Sequence, residues 1–88
     1  MIYEVKFTKG ARKAFMKLSP ELQNRIQTKI ENLAIEPRPN GVKKLKGQEN
    51  SYRVRVGDYR IIYDIFDDIL LVTVVEIGHR SNIYKDES

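Results

Sequence analysis

The fold is decided by residues 52–63, whose sequence is Tyr-Arg-Val-Arg-Val-Gly-Asp-Tyr-Arg-Ile-Ile-Tyr. Apolar and polar side chains alternate on both sides of Gly57-Asp58, which predicts two antiparallel strands joined by a two-residue turn. Glycine at the first turn position favours a type II′ turn, whose twist matches that of the flanking strands. The stretch is therefore predicted to form a tight β-hairpin.

The turn determines which residues face each other across the hairpin. The predicted cross-strand pairs are Val56 with Tyr59, Arg55 with Arg60, Val54 with Ile61, and Arg53 with Ile62. Arg53, Arg55 and Arg60 then share one face of the sheet. Two arginines directly opposite each other destabilise a sheet by up to about 1 kcal/mol, so fold stability gives no reason for this arrangement. We interpret the three arginines as a binding site for an anionic ligand, the alternative being ion pairs with surface carboxylates.

The residues before the hairpin predict one strand and two helices. Alternation over Ile2–Phe7 predicts a short first strand. Apolar residues at helical spacing then predict a first helix with Thr8 as its N-cap and its end near Leu18. A second helix is expected from the N-cap Ser19 to about Ile35, with proline at its first position.

The residues after the second helix predict a basic loop over 42–50, the hairpin, a second tight turn at 66–69 and a strand ending near Ile77. The face expected to pack on the helices carries Tyr52, Val54, Val56, Tyr59, Ile61, Tyr63, Ile65, Leu70, Val72 and Val74. The opposite face carries Arg53, Arg55, Arg60, Ile62, Asp64, Leu71, Thr73 and Val75. We therefore expect an α+β fold of order β-α-α-β-β-β, with a helical hairpin packed on a mainly antiparallel four-stranded sheet.

Length and composition limit the classes of site that are available. A chain of 88 residues predicts one domain over residues 1–88. It has no cysteine and one histidine, which excludes disulfides, cysteine-based zinc sites and multi-histidine metal sites. We expect no cofactor and no metal. No apolar stretch is long enough for a signal peptide or a membrane span, so we expect a cytoplasmic protein without a membrane partner.

Positive charge is concentrated in the middle of the chain. The net charge is +4, and residues 38–60 contain seven Lys/Arg against two Asp/Glu. This distribution favours nucleic acid as the partner class, although a solvated basic surface would give the same count. His79, the single histidine, is a candidate for acid–base catalysis, although a lone histidine at a strand end is also commonly structural.

Three segments together resemble the RelE/ParE superfamily of type II toxin–antitoxin toxins, and within it the RelE-like branch. They are Lys44-Leu45-Lys46-Gly47, residues 52–63, and Gly78-His79-Arg80 followed by Ile83-Tyr84. The resemblance implies a fold similar to microbial ribonucleases and an endoribonuclease that cleaves mRNA in the ribosomal A site without a metal, by attack of the 2′-hydroxyl. It also implies a cognate antitoxin, RelB-like or similar, and contact with operator DNA only through the toxin–antitoxin complex.

The resemblance further implies roles for individual residues. Arg60 would stabilise charge on the scissile phosphate, and Arg80 would stabilise charge on the leaving oxygen or protonate it. Tyr84 would stack on a base and help to activate the 2′-hydroxyl. The residues expected to hold the RNA backbone are Arg53, Arg55, Lys44 and Lys46.

Two other functions use the same scaffold. A ParE-like toxin inhibits DNA gyrase without being an enzyme, and it shares the Tyr-Arg-Ile-Ile-Tyr strand. That branch generally lacks the paired basic residues found here at Arg53 and Arg55. A degenerate or purely autoregulatory member without toxicity is the third alternative.

Overall fold

Residues 2–79, the part of the chain that the computed structural model describes, form five β-strands and two α-helices. The strands are β1 (Glu4–Phe7), β2 (Lys43–Lys44), β3 (Ser51–Val56), β4 (Tyr59–Phe66) and β5 (Leu71–His79), and the helices are α1 (Lys9–Met16) and α2 (Pro20–Ile35). The sheet order is β1-β5-β4-β3-β2, with β1 parallel to β5 and the other neighbours antiparallel. The predicted α+β class is confirmed. The sheet has five strands rather than four because the first part of the predicted basic loop pairs with β3.

Local capping signals explain where the helices begin. The hydroxyls of Thr8 and Ser19 each accept a hydrogen bond from a backbone N–H three residues further on. Pro20 occupies the first position of α2, where its missing N–H is not needed. α2 ends at Ile35 as predicted, whereas α1 ends at Met16, two residues early. Neither helix is long and apolar enough to cross a membrane.

The hydrophobic core lies between the helices and one face of the sheet. Its fully buried large side chains are Ile26, Ile30, Leu33, Ile61, Tyr63, Ile65, Val72 and Val74. Tyr63 donates its hydroxyl proton to the carbonyl of Pro37 at 2.7 Å, so this buried polar group is satisfied. Burial raises the pKa of Tyr63 above its ordinary value. The helices therefore pack on only one face of the sheet.

The β3–β4 hairpin has the predicted register. Arg55 pairs with Arg60, and the three neighbouring pairs are also those expected from the sequence. Gly57 has φ +59° and Asp58 has a negative φ, which is the pattern of a type II′ turn. A Cβ atom at Gly57 would lie 2.9 Å from Nη2 of Arg25. The positive φ favours glycine here, whereas the contact with the end of the flexible Arg25 side chain could be relieved by a small movement of that side chain.

Gly57→Ala is expected to lower the free energy of unfolding by about 1–2 kcal/mol, because alanine is disfavoured at positive φ. The same change at Gly10, inside α1, should instead raise stability by up to about 1 kcal/mol, because helical backbone suits alanine and no atom lies within 4 Å of the new methyl group. Urea unfolding of both variants measures the two values. Changes of equal sign would contradict the role given to the turn.

The turn before β5 differs from the predicted one. β4 continues through Phe66, the turn occupies residues 67–70, and β5 begins at Leu71. Leu70, predicted to lie in the strand with its side chain on the core face, is a turn residue with φ +52°. The prediction was wrong because a longer turn needs one residue in the left-handed conformation, which the sequence does not mark with glycine.

A bulge in β5 changes the side-chain alternation. Ile62 pairs with Glu76, but the next residue, Tyr63, pairs with Val74, so Val75 is an extra residue in β5. A bulge of this kind moves each following side chain to the other face. Ile77 therefore joins the core, and Glu76 lies on the face away from the helices.

A polar cluster joins the sheet ends that lie away from the Gly57 turn. Arg38 forms an ion pair with Asp67 at 2.8 Å and donates a hydrogen bond to the hydroxyl of Tyr52 at 3.2 Å. The hydroxyl of Tyr3 donates to the Asp67 carboxylate at 2.6 Å. Hydrogen bonds from Arg38 and Tyr3 lower the pKa of Asp67. The cluster anchors the segment between α2 and β2, which leads into the candidate site.

Candidate nucleic-acid interface

The sheet face away from the helices carries the three predicted arginines in two neighbouring rows. In the first row, Arg60 lies between Arg55 and Gly78. The second row, in strand order β2 to β5, consists of Lys43, Arg53, Ile62 and Glu76. We call the surface formed by Arg53, Arg55 and Arg60 the arginine face. The register places these guanidinium groups on adjacent strands, as the sequence predicted.

The three arginines differ in exposure. Arg55 is exposed and Arg53 is half-buried, whereas the Arg60 side chain is only 9% exposed and its Nη1 atom is inaccessible to solvent. Its neighbour on β5, Gly78, has no side chain. A cation in a desolvated position interacts more strongly with an anion than one in bulk water. An anion bound at Arg60 would therefore interact with it more strongly than an anion bound at the more exposed Arg53 or Arg55.

The two lysines predicted to bind RNA lie in different surroundings. Lys44 donates hydrogen bonds to the carbonyls of Gln48 and Glu49 at 2.7 and 2.5 Å, and its ammonium group lies 5.5 Å from the centre of the Tyr52 ring. These contacts close the loop after β2. Lys46 instead lines a cleft beside the arginine face.

Lys43 is a basic residue that sequence reasoning did not select. It pairs with Arg53 and so shares the arginine face, while its neighbour Lys44 pairs with Tyr52 on the other side. The expected loop concealed this difference, because alternation between faces has meaning only in a strand. The adjacent lysines Lys43 and Lys44 gave no signal by which to choose between them.

Of the residues predicted to take part in proton transfer, His79 lies within the described residues. His79 pairs with Tyr59, with the rings in edge contact at a centroid distance of 5.5 Å. Tyr59 packs on the core side, so the bulge in β5 directs His79 to the face opposite Arg60. Arg80 and Tyr84 lie outside the described residues. Among residues 2–79, no three His, Asp or Glu side chains form a group suited to a metal ion.

A cleft of about 380 Å³ adjoins the arginine face. Its lining residues are Leu45, Lys46, Gln48, Ser51, Ile62, Asp64, Val75 and Glu76. The Ser51 hydroxyl donates a hydrogen bond to the Asp64 carboxylate. Sequence reasoning placed Asp64 on this face without giving it a role in binding. It did not consider Glu76, because the face on which Glu76 lies depends on the bulge.

Comparison with known proteins identifies the family. The family model described as "ParE toxin of type II toxin-antitoxin system, parDE" matches residues 5–84, which include both helices, strands β2 to β5 and all but the first residue of β1. The chain belongs to the RelE/ParE superfamily of type II toxins. The superfamily membership inferred from the sequence is confirmed.

Members of the superfamily with RelE-type names resemble the chain over nearly its whole length. Toxin RelG of Mycobacterium tuberculosis is 31% identical, over 97% of this chain and 99% of RelG. The mRNA interferase toxin RelE of Escherichia coli strain K12 is 27% identical, over 98% of this chain and 94% of that protein. The crystal structure of the archaeal RelE–RelB complex from Pyrococcus horikoshii matches with a TM-score of 0.81 and 31% identity, over 93% of this chain and 99% of that one.

Proposed function

We propose that this RelE/ParE-superfamily toxin is an endoribonuclease that cleaves mRNA on the ribosome and is neutralised by a RelB-like antitoxin. The arginine face is the observation that carries the proposal, because three adjacent cations suit a polyanion and do not stabilise the sheet. The activity is supported by the name of the E. coli relative, an mRNA interferase toxin. The antitoxin is supported by the RelE–RelB complex of similar fold.

The arginine face suits cleavage by the neighbouring 2′-hydroxyl. In this reaction the 2′-oxygen forms a bond to phosphorus, the bond from phosphorus to the 5′-oxygen breaks, the 2′-hydroxyl loses its proton and the leaving oxygen gains one. Negative charge increases on the phosphate in the transition state, and fixed guanidinium groups stabilise it. Arg60 would contact the scissile phosphate, while Arg53, Arg55 and Lys43 hold the adjacent backbone. These cations supply charge stabilisation that a metal ion provides in other nucleases.

Proton transfer in the proposed reaction falls to residues near the end of β5. Arginine remains protonated and cannot act as the base. Tyr84 is proposed to help activate the 2′-hydroxyl, and Arg80 to assist the leaving oxygen. His79 would contribute only from the strand end, since its ring packs on Tyr59. A weak set of acids and bases fits an enzyme that depends on the ribosome to position the RNA.

The proposed partners determine where the toxin works. Ribosomes and mRNA place it in the cytoplasm, and the antitoxin would connect it to operator DNA. Lys46, at the edge of the cleft, would extend the basic surface toward the RNA. Lys44 would act through the loop that it closes, because its ammonium group is held by two carbonyls.

Inhibition of DNA gyrase is the second candidate function. It is favoured by the description of the matching family, which names a ParE toxin. Such a toxin acts by binding to a protein and needs no phosphate-binding residues. Arg53 and Arg55 have a role in RNA cleavage and none in this alternative.

Expression without antitoxin is expected to stop growth and to produce new mRNA 5′ ends inside coding regions. The purified toxin should inhibit translation in a cell-free system and leave gyrase supercoiling unaffected. Inhibited supercoiling with intact mRNA would support the gyrase alternative. Normal growth, translation and supercoiling would contradict both toxin activities. The remaining alternative would then be a superfamily member that acts only in autoregulation.

A further inference from the structure

We propose that the cleft beside the arginine face is a nucleobase pocket, in which Glu76 and Asp64 select bases that present hydrogen-bond donors. The inference rests on the proposed cleavage of RNA and adds a specificity to it. Guanine is the base expected to bind best next to the scissile phosphate, and uracil the base expected to bind worst.

The cleft has the composition of a pocket for a flat, partly polar ligand. The apolar surface against which a base can pack comes from the half-buried Leu45 and Val75, with Ile62 beneath them. Ile62 is only 6% exposed although it lies on the face away from the helices, so it forms the floor of the cleft rather than its walls. A few polar groups around an apolar floor are typical of sites that bind small ligands.

The position of the cleft relative to the arginines suits a single nucleotide. Ile62 separates Arg53 from Glu76 in the second row, with each neighbour one strand away, or about 4.8 Å. Glu76 is also the diagonal neighbour of Arg60, and such neighbours are separated by about 7–8 Å. A phosphate bound at Arg60 therefore leaves its attached base within reach of the Glu76 carboxylate.

The arginine face and the cleft carry opposite charges, so they suit different parts of a nucleotide. Ionised carboxylates only accept hydrogen bonds, and they repel phosphate. Asp64 is already oriented by the Ser51 hydroxyl, and Glu76 forms no ion pair with another residue of the range 2–79. With two carboxylates against the single cation Lys46, the cleft is less favourable for the RNA backbone than the arginine face is, and its carboxylates accept hydrogen bonds from donor groups.

The donor pattern of each base then sets its preference. Guanine presents two adjacent donors, N1–H and N2–H, that one carboxylate can accept together, and cytosine and adenine present an amino group. Uracil has a single N–H between two carbonyl oxygens, and these oxygens are repelled by the carboxylates. The pocket should therefore favour guanine and disfavour uracil.

The isosteric variants Glu76→Gln and Asp64→Asn test this pocket, with Glu31→Gln on α2 as the matched control on the other side of the molecule. The measurement is transcriptome-wide mapping of 5′ ends after expression of each variant, with melting temperatures to confirm folding. Glu76→Gln is expected to lower the ratio of guanine to uracil beside the cut on the order of ten-fold. Asp64→Asn should shift the ratio in the same direction, and Glu31→Gln should not change it.

The outcomes separate this inference from the proposed function. Wild-type cleavage with unchanged base preference in both folded pocket variants would overturn the pocket while leaving the nuclease in place. An equal loss of cleavage at all sites in Glu76→Gln would also overturn it, because Glu76 would then act in proton transfer. Intact mRNA after expression of the wild type would refute the proposed function itself, and the pocket with it.

Discussion

Arg60→Gln is expected to lower the rate of mRNA cleavage about 100- to 1000-fold, the loss typical for removal of one group that stabilises transition-state charge. Arg60 is the most buried of the three arginines, so bulk solvent screens its charge least. Glutamine keeps a polar side chain of similar direction and limits the cavity that alanine would leave. The rate is measured by primer extension on ribosome-bound mRNA over a time course.

Arg12→Gln is the control for the Arg60 variant. It makes the same chemical change and the same change in net charge at an exposed position of α1. Its cleavage rate should match that of the wild type. Equal activity of the two variants, with melting temperatures close to the wild-type value, would refute the role of Arg60 at the phosphate.

Ile61→Ala should reduce the free energy of unfolding by about 2–5 kcal/mol, because it removes a fully buried side chain from the core. Ile61 is 0% exposed and lies in β4, between β5 and β3. A small domain has only about 5–15 kcal/mol of total stability. Urea unfolding followed by circular dichroism measures the change, and cellular toxin levels should fall with it.

Ile69→Ala supplies the matched comparison for the core variant. Ile69 is 63% exposed in the turn before β5, so the same truncation should change stability by no more than about 0.5 kcal/mol. A comparable loss at Ile69 and Ile61 would show that the core does not lie where the sheet and helices place it.

The parts of the fold that were predictable are those governed by neighbouring residues. The Gly57-Asp58 turn sets the register of the whole hairpin, because a two-residue loop allows few pairings. The start of α2 follows from Ser19 and Pro20, which satisfy the first turn of the helix locally. The arginine face was predictable for the same reason, since it depends only on the hairpin register.

The parts that were not predictable depend on residues far apart in the sequence. β2 exists because Lys43 and Lys44 find hydrogen-bonding partners on β3, and its two residues are too few to show alternation. The burial of Arg60 likewise does not follow from the alternation of residues within the hairpin. Sequence reasoning therefore located the three arginines, but it did not predict the burial of Arg60 or the position of Lys43 on the same face.

The bulge at Val75 decides which chemical group the sheet presents beside Arg60. With regular pairing beyond Val74, Glu76 would point into the core and His79 would come to the arginine face. That arrangement would bury a carboxylate and expose Ile77, both at a cost in stability. Hydrophobic packing on one side of β5 thus selects a carboxylate over an imidazole on the other. A one-residue bulge in one strand can therefore change which side chains a protein of this fold presents to a ligand, without a substitution at those side chains.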